Sequence, residues 1–352
     1  MTQGQNSHLF PWKWKLADGF PAKGIERNGL TVFGTFTCGG GSAMGYKLAG
    51  FDYLGGVEID KEVGEIYKRN LHPRYFFNED IRAFNARTDL PEQLYNLDIL
   101  DGSPPCTMFS FNRGQKREDN FGKPKVFAEG QQKQTLDDLV FIWTDTVKKL
   151  QPKVALMENV EGLTKGGAKK YLANILKKLS AAGYDSQVFI LNAERMGVPQ
   201  SRRRCFVIAR RRDLNLPKIN FDFTEELIPF REIRLPDNGN HKLTDWKNSL
   251  WQARKADDTD LSEISQRVYG KMSGFSTRII HENEPCRTLV TVRHVVYVEP
   301  RFMSDKELLS ASTFPQDYDY NGGNIVFLTG MCVPPVMTAQ ISRQIAKQMF
   351  GK

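Results

Sequence analysis

Cys106 ends the run Ser103-Pro104-Pro105-Cys106, just after the apolar stretch 97–100 and its polar end Asp101-Gly102. An apolar run of that length makes a buried strand. Each proline fixes its own φ and pushes the residue before it towards extended backbone. The thiol is therefore expected on a stiff loop just past a strand end, where open parallel sheets carry their chemistry. The attacking species of a cysteine is its thiolate, which is scarce at neutral pH unless charged neighbours favour it. With such neighbours Cys106 is a nucleophile that forms a covalent intermediate; without them it is a small buried hydrophobe.

Other chemistry-bearing residues follow apolar runs in the same way. The stretch 30–36 ends at Phe36 and runs into Cys38-Gly39-Gly40-Gly41. Successive glycines after a strand allow backbone to approach a ligand closely, although Met44 occupies the last glycine position of the dinucleotide fingerprint G-x-G-x-x-G. Glu58 and Asp60 close the next strand-like run and Asp80 the one after. An acid about 20 residues past a glycine loop stands where a ribose hydroxyl is held in nucleotide sites; the alternative is that it caps the following helix. Glu158-Asn159 ends the run 154–157, and Gln200-Ser201-Arg202-Arg203-Arg204 precedes the run 205–209. A basic run of that kind is either a solvated turn or a set of ligands for an anion.

These residues meet only if the elements between them are arranged as a parallel sheet. Strand-like runs at 30–36, 53–59, 75–77, 97–100, 154–157, 187–191 and 205–209 alternate with helical spacing at 42–49, 139–150 and 172–179. This rhythm predicts an α/β chain, a doubly wound and mostly parallel sheet with helices on both faces. The C-terminal strand ends then share one edge, and Phe36, Glu58, Asp80, Cys106 and Glu158 gather around one crevice. From 210 to about 282 the rhythm stops and charges of both signs mix with Phe221, Phe223, Trp246 and Trp251. That region is expected to be a second, smaller domain. Residues 1–29 read as a polar extension, with Trp12 and Trp14 alternating with Lys13 and Lys15 as an arm, a strand or a packed lid. The organisation expected is an extension at 1–29, a main domain at 30–209, a smaller domain at 210–282 and a return segment at 283–352, whose last part, 336–350, carries an apolar helical stripe.

Composition sets the class. The 352 residues are 40% hydrophobic and 26% charged, with a formal charge of +8, which suits a globular enzyme with an anionic partner, nucleic acid first. Five widely spaced cysteines form no CxxC pair, so neither a disulfide framework nor a zinc site is indicated. The first residues have no apolar signal core and no apolar run is long enough to span a bilayer; the expectation is a cytoplasmic protein without a membrane partner.

From about residue 30 to the end, excluding 210–282, the chain resembles the DNA (cytosine-5-)-methyltransferases, and the order of the motifs carries the resemblance as much as their content. Phe36 with Cys38, Gly39, Gly40 and Gly41 resembles the first S-adenosylmethionine motif. Glu58-Ile59 and Asp80-Ile81 resemble its ribose and adenine contacts. Ser103-Pro104-Pro105-Cys106 with Phe109-Ser110 resembles the nucleophile loop, Glu158-Asn159-Val160 the catalytic glutamate motif and Gln200-x-Arg202-x-Arg204 the basic motif. Arg287-Thr288-Leu289 and Val333-Pro334-Pro335 resemble the last two. Two positions depart: Cys38 stands where the family usually has glycine, and Met331 where it usually has asparagine after Gly330.

The resemblance implies a Rossmann-like fold, a target-recognition domain at 210–282, and S-adenosyl-L-methionine as methyl donor. It implies donor contacts from Ser103, Pro105, Leu139, Met331 and Cys332 besides the motif residues above. Carbon 5 of cytosine is a poor nucleophile, and addition of the Cys106 thiolate at carbon 6 converts the ring to an enamine that accepts a methyl group. Glu158 would hold a proton at ring nitrogen 3, Arg204 would hold the exocyclic oxygen, Arg202 would support Glu158 and the loop, and Asn159 would order the Pro-Cys loop. The target base must be flipped out of duplex DNA to reach such a pocket. Ser110, Arg113, Lys116, Arg117, Lys123 and Lys125 would form a closing loop on the phosphates. The expected setting is a monomer that serves either as the modification enzyme of a restriction–modification system, with a cognate restriction endonuclease, or as an orphan or prophage methylase. A transfer-RNA cytosine-5 methyltransferase of the same fold and a catalytically silent DNA-binding homologue are the alternatives.

Overall fold

The computed structural model describes residues 8–105, 139–272 and 277–352. Its central sheet is assembled from β1 (Thr31–Thr35), β2 (Asp52–Val57), β3 (Tyr75–Phe77), β4 (Ile99–Gly102), β5 (Val154–Val160), β6 (Tyr184–Asn192) and β8 (Arg203–Arg211), with the two-residue β7 (Gln200–Ser201) outside it. The spatial order is β3-β2-β1-β4-β5-β8-β6. β3, β2, β1, β4 and β5 are parallel neighbours, while β8 runs antiparallel to both β5 and β6. Helices α1 (Gly41–Leu48), α2 (Lys61–Leu71), α3 (Ile81–Ala86), α4 (Leu139–Leu150) and α5 (Lys169–Ala181) connect the strands. The sequence reading of a doubly wound, mostly parallel sheet therefore holds, and the antiparallel member is the strand that carries the basic run.

Two apolar cores cover the two faces of the sheet. One gathers Val32, Ile99, Val154, Leu156, Phe206 and Ile208 with α1 and with the last helix, α10 (Pro335–Phe350). The other gathers Phe33, Leu100, Ala155, Met157 and Val207 with α4 and α5. Alternate residues of one strand thus face opposite cores, as the period of two requires. Against the expectation that no apolar run is long enough to span a bilayer, Ile325–Phe350 is long and apolar enough by length and composition, and it lies mostly buried in the first core.

The expectation of a polar extension at 1–29 is corrected by the described part of that segment. Phe10, Trp12 and Trp14 are buried in the first core, and the Trp14 indole donates to the Thr313 carbonyl at 2.9 Å. His8 meets Glu225 at 2.6 Å, and Glu225 also accepts from Gln340 on α10. The segment straps the far end of the chain, with Lys13 and Lys15 turned outward.

The smaller domain has a core of its own, built from Leu250, Trp251, Leu261, Ile264, Ile279 and Val295, with Leu243, Tyr297 and Phe302 packed against it. It is made of α6 (Asp245–Gln252), α7 (Leu261–Tyr269) and the paired two-residue strands β9 (Ile279–Ile280) and β11 (Val295–Val296). This core begins and ends later than the span 210–282. Ile219, Ile228, Phe230 and Ile233 belong to the first core instead, and Phe221 packs edge-on against Phe189 of β6. The runs read as renewed pattern at 285–292 and 295–298 supply only β10 (Cys286–Arg287), which pairs with β7, and β11. Helices α8 (Asp305–Ala311) and α9 (Ile325–Met331) then lead back to the sheet edge.

Candidate active site

Strand register places the functional residues. Thr35 pairs with Val57 and with Gly102, Gly102 pairs with Met157, and Val57 pairs with Phe77. The next residue on each strand therefore falls in one row at the C-terminal edge: Phe36, Glu58, Asn78, Ser103 and Glu158. Because β8 is antiparallel, its first residues reach the same edge, with Arg204 opposite Val160.

A cavity of about 230 Å³ opens at this row. Its wall includes Phe36, Cys38, Gly41, Glu58, Ile59, Asp80, Ile81, Ser103, Pro105, Leu139, Met331 and Cys332 from the expected donor contacts, and Glu158, Asn159, Arg202 and Arg204 from the expected catalytic set. Gly39 and Gly40 are not part of the wall. They shape the loop behind it: the Gly39 carbonyl accepts from the Tyr318 hydroxyl at 2.6 Å, and Gly40 has φ +82° with Leu71 where a side chain would go. Gly41 is required by close approach, since an added Cβ would lie 2.1 Å from the Val333 carbonyl oxygen. Phe36 and Cys38 also hold positive φ, at 57° and 45°, a costly conformation for non-glycine residues that concentrates at functional sites.

The acids are held by backbone. Glu58 accepts from Cys38 N at 2.8 Å and from Asp60 N at 3.0 Å, so it fixes the glycine loop against the end of β2. Burial raises its pKa, and those backbone bonds oppose the shift. Each carboxylate oxygen retains capacity for a second donor. Asp80 caps α3 through Arg82 N at 2.7 Å and pairs with the Arg82 guanidinium at 3.1 Å, so it is both the helix cap of one reading and the cavity acid of the other. Asp60 caps α2 through Val63 N.

At the β5 end, Glu158 Oε1 and Arg204 Nε form an ion pair of 3.0 Å between two buried side chains. Burial lowers the Arg204 pKa and the carboxylate opposes that. The three arginines of the basic run divide. Arg203 faces outward and bonds Glu161 at 3.1 and 3.2 Å, while Arg202 and Arg204 turn in. Arg202 differs from expectation: its guanidinium donates to the carbonyls of Leu289 at 3.1 Å and Gly330 at 2.9 Å rather than to Glu158. It joins the return segment to the wall at Gly330, Met331 and Cys332. Asn159 Nδ2 donates to the Pro104 carbonyl at 3.1 Å, tying the end of β5 to the loop two residues before Cys106. Cys106 itself, Ser110, Arg113, Lys116, Arg117, Lys123 and Lys125 lie outside the described residues.

The two departures, Cys38 and Met331, both line the wall. The Cys38 and Cys332 thiols are hydrogen-bonded to each other; this bond pushes the Cys38 pKa up and, with the amides of Gly41 and Gly39, holds Cys332 down. Sequence reasoning missed Thr37, Phe327 and Asp101. Thr37 Oγ1 is buried in the wall with no hydrogen-bond partner among the described residues, which fits a hydroxyl awaiting a ligand. Asp101 is buried on β4 and accepts from the Tyr46 hydroxyl at 3.3 Å. Its only signal in the sequence is a carboxyl ending an apolar run, the signal that did single out Glu58 and Glu158.

The C-5 cytosine-specific DNA methylase family model matches residues 30–347. The type II methyltransferase M.Sau96I of Staphylococcus aureus is 28% identical over 342 residues, covering 90% of this chain and 76% of that one. M.HhaI of Haemophilus parahaemolyticus is 27% identical over 251 residues, 71% of this chain and 70% of its own. Among solved structures, the Dnmt2 methyltransferase of S. pombe has the same fold, with a TM-score of 0.61 at 14% identity, covering 90% of this chain and 98% of that one.

Proposed function

The chain belongs to the C-5 cytosine-specific DNA methylase family, and we propose that it is a site-specific modification enzyme acting through a covalent Cys106 adduct. It is a DNA (cytosine-5-)-methyltransferase, its methyl donor is S-adenosylmethionine and its substrate is double-stranded DNA. The observation that carries the mechanistic reading is the buried Glu158–Arg204 pair, 3.0 Å apart, on the strand end that Asn159 ties to the loop leading into Cys106.

In this reading Cys106 adds as thiolate to carbon 6 of an extruded cytosine. Glu158 holds a proton at nitrogen 3, which takes up the C4=N3 pair as the C5=C6 pair moves to C4–C5, and the resulting enamine is nucleophilic at carbon 5. S-adenosylmethionine supplies the electrophilic methyl group. Loss of the carbon 5 proton to solvent water and expulsion of the thiolate then restore the aromatic ring. Arg204 offsets charge that builds on the exocyclic oxygen while keeping the Glu158 carboxyl aimed. Glu58 and Asp80 hold the donor's nucleoside, Phe36 and Ile81 pack against it, and Arg202 keeps the 330–332 wall in place. The domain with the Leu250–Trp251 core reads the sequence, and the cations from Arg113 to Lys125 meet phosphate. The enzyme is read as a cytoplasmic monomer that protects sites cut by a cognate restriction endonuclease.

Methyl transfer from labelled donor, measured on duplex DNA and on transfer RNA, tests this. Transfer to DNA alone is expected, with bisulfite sequencing placing it at one recurrent sequence. With the methyl donor present, a duplex carrying 5-fluorocytosine should trap the wild-type chain covalently and leave Cys106→Ser free. An adduct that persists in Cys106→Ser removes the nucleophile assignment, and transfer to transfer RNA alone removes the DNA reading.

A further inference from the structure

Three carboxyls of the cavity wall, Asp60, Glu79 and Asp101, have no part in the reaction just described, and of these Asp101 is the buried one. Asp101 is the third residue of β4, and its exposure is only 4%. Its ladder partners are Gly34 of β1 and Leu156 of β5, and the Tyr53 hydroxyl fills the space that a side chain at Gly34 would take. Its carboxyl turns to α1, where the Tyr46 hydroxyl donates at 3.3 Å and Ser42 also bonds it. The charged or titratable groups that face it come from four elements: Tyr46 on α1, Tyr53 on β2, Tyr67 on α2 and Glu158 on β5. Among the described residues no cation faces it. The two arginines of the wall are engaged elsewhere, Arg204 with Glu158 and Arg202 with two carbonyls. A buried carboxyl without a cationic partner is costly, and burial raises this one to about 7.

The geometry points to Asp101 as a specificity-determining group that recognises the sulfonium charge of the methyl donor and so favours donor over spent product. The inference rests on reading this cavity as the donor site. Asp101 lies between the glycine loop and Glu158, and the sulfur must come to rest between the loop and the base that Glu158 holds. Methyl transfer converts a sulfonium cation to a neutral thioether. A carboxylate at that point binds the donor more tightly than the product by a Coulombic attraction that a dry cavity preserves. Hydrogen bonds from Tyr46 and Ser42 leave lone pairs of the carboxylate directed elsewhere.

Calorimetry on the full chain with S-adenosylmethionine and, separately, S-adenosylhomocysteine tests this, comparing wild type with Asp101→Asn, which keeps the shape and an acceptor for Tyr46. The expected result is a loss of about tenfold or more for the cation, with the neutral thioether unchanged. In wild type the donor-to-product affinity ratio should also rise from pH 6 to pH 8 as the carboxyl ionises, and stay flat in Asp101→Asn. The wild-type pH series stands alone if the variant does not fold. Equal losses for both ligands would put Asp101 on the amino group they share and overturn the proposal, as would a ratio independent of pH. Wild type binding neither ligand would instead remove the donor-site reading beneath it.

Discussion

Glu158 and Arg204 neutralise each other in a buried setting, and that makes their substitutions unequal. Glu158→Gln removes the carboxyl and leaves Arg204 without its counter-charge. General acid–base work of this kind is worth about 10²–10⁴-fold, so single-turnover methylation is expected to fall by that range, while donor affinity stays within a few-fold because Glu58 and Asp80, the residues proposed to hold the nucleoside, are unchanged. Parallel loss of donor affinity would show that Glu158 acts on the cofactor. Asp101 gives a second prediction at this scale, in the protein without ligand. Its folded pKa of about 7 lies above the ordinary 3.8, so the folded state holds the proton more tightly. Its contribution to stability is complete below pH 3.8 and is lost as pH rises to about 7. Asp101→Asn escapes that loss. The ligand-free variant is expected to resist urea better than wild type at pH 8, by at most about 4 kcal/mol, and to match it near pH 4. A variant weaker than wild type at pH 8 would contradict the assigned burial cost.

The glycine loop works because α1 and α10 touch through it. The Val333 carbonyl sits where a Gly41 side chain would be, and the Pro335 carbonyl where a Gly45 side chain would be, at 2.1 and 2.4 Å from the ideal Cβ positions. Gly41→Ala must therefore push the 332–335 segment outward, and overpacking of this kind costs about 1–3 kcal/mol. Since Cys332 and Met331 line the cavity, calorimetry is expected to show donor affinity falling together with stability. Retained affinity at reduced stability would mean that the wall moves independently of α10. This element was legible from the residues: a strand-like run, then three glycines, then helical spacing. So were Glu58 and Glu158, each a charge breaking an apolar run at a strand end. Arg202 was not, because its partners are carbonyls at positions 289 and 330, and carbonyl acceptors leave no mark on residue type. The burial of Trp12 and Trp14 was hidden by the lysines between them and by partners near residue 313.

The whole molecule divides its labour along its cores. The sheet and both large cores hold the cavity, whereas Leu250, Trp251, Leu261, Ile264, Ile279 and Val295 form a small core with no residue in the cavity wall. That boundary could not be read at 210, because Ile219, Ile228 and Phe230 sit in a charge-rich stretch that matches the smaller domain in composition yet packs on the sheet domain. A core this small is sensitive to a single truncation. Ile264 is fully buried in it, and removal of its side chain to alanine costs about 2–5 kcal/mol where the site does not collapse. The loss falls on the local unit before it reaches the sheet, because cooperative units open with their own free energies. Ile264→Ala is therefore expected to separate the two binding functions: calorimetry gives wild-type affinity for S-adenosylmethionine, while affinity for the cognate duplex falls by tenfold or more and what remains falls linearly in log affinity with log salt. Cations outside the small domain produce that residual binding, in keeping with a chain of net charge +8. If donor affinity dropped in step with DNA affinity, the two cores would be one cooperative unit, and the assignment of sequence reading to the smaller one would fall with it.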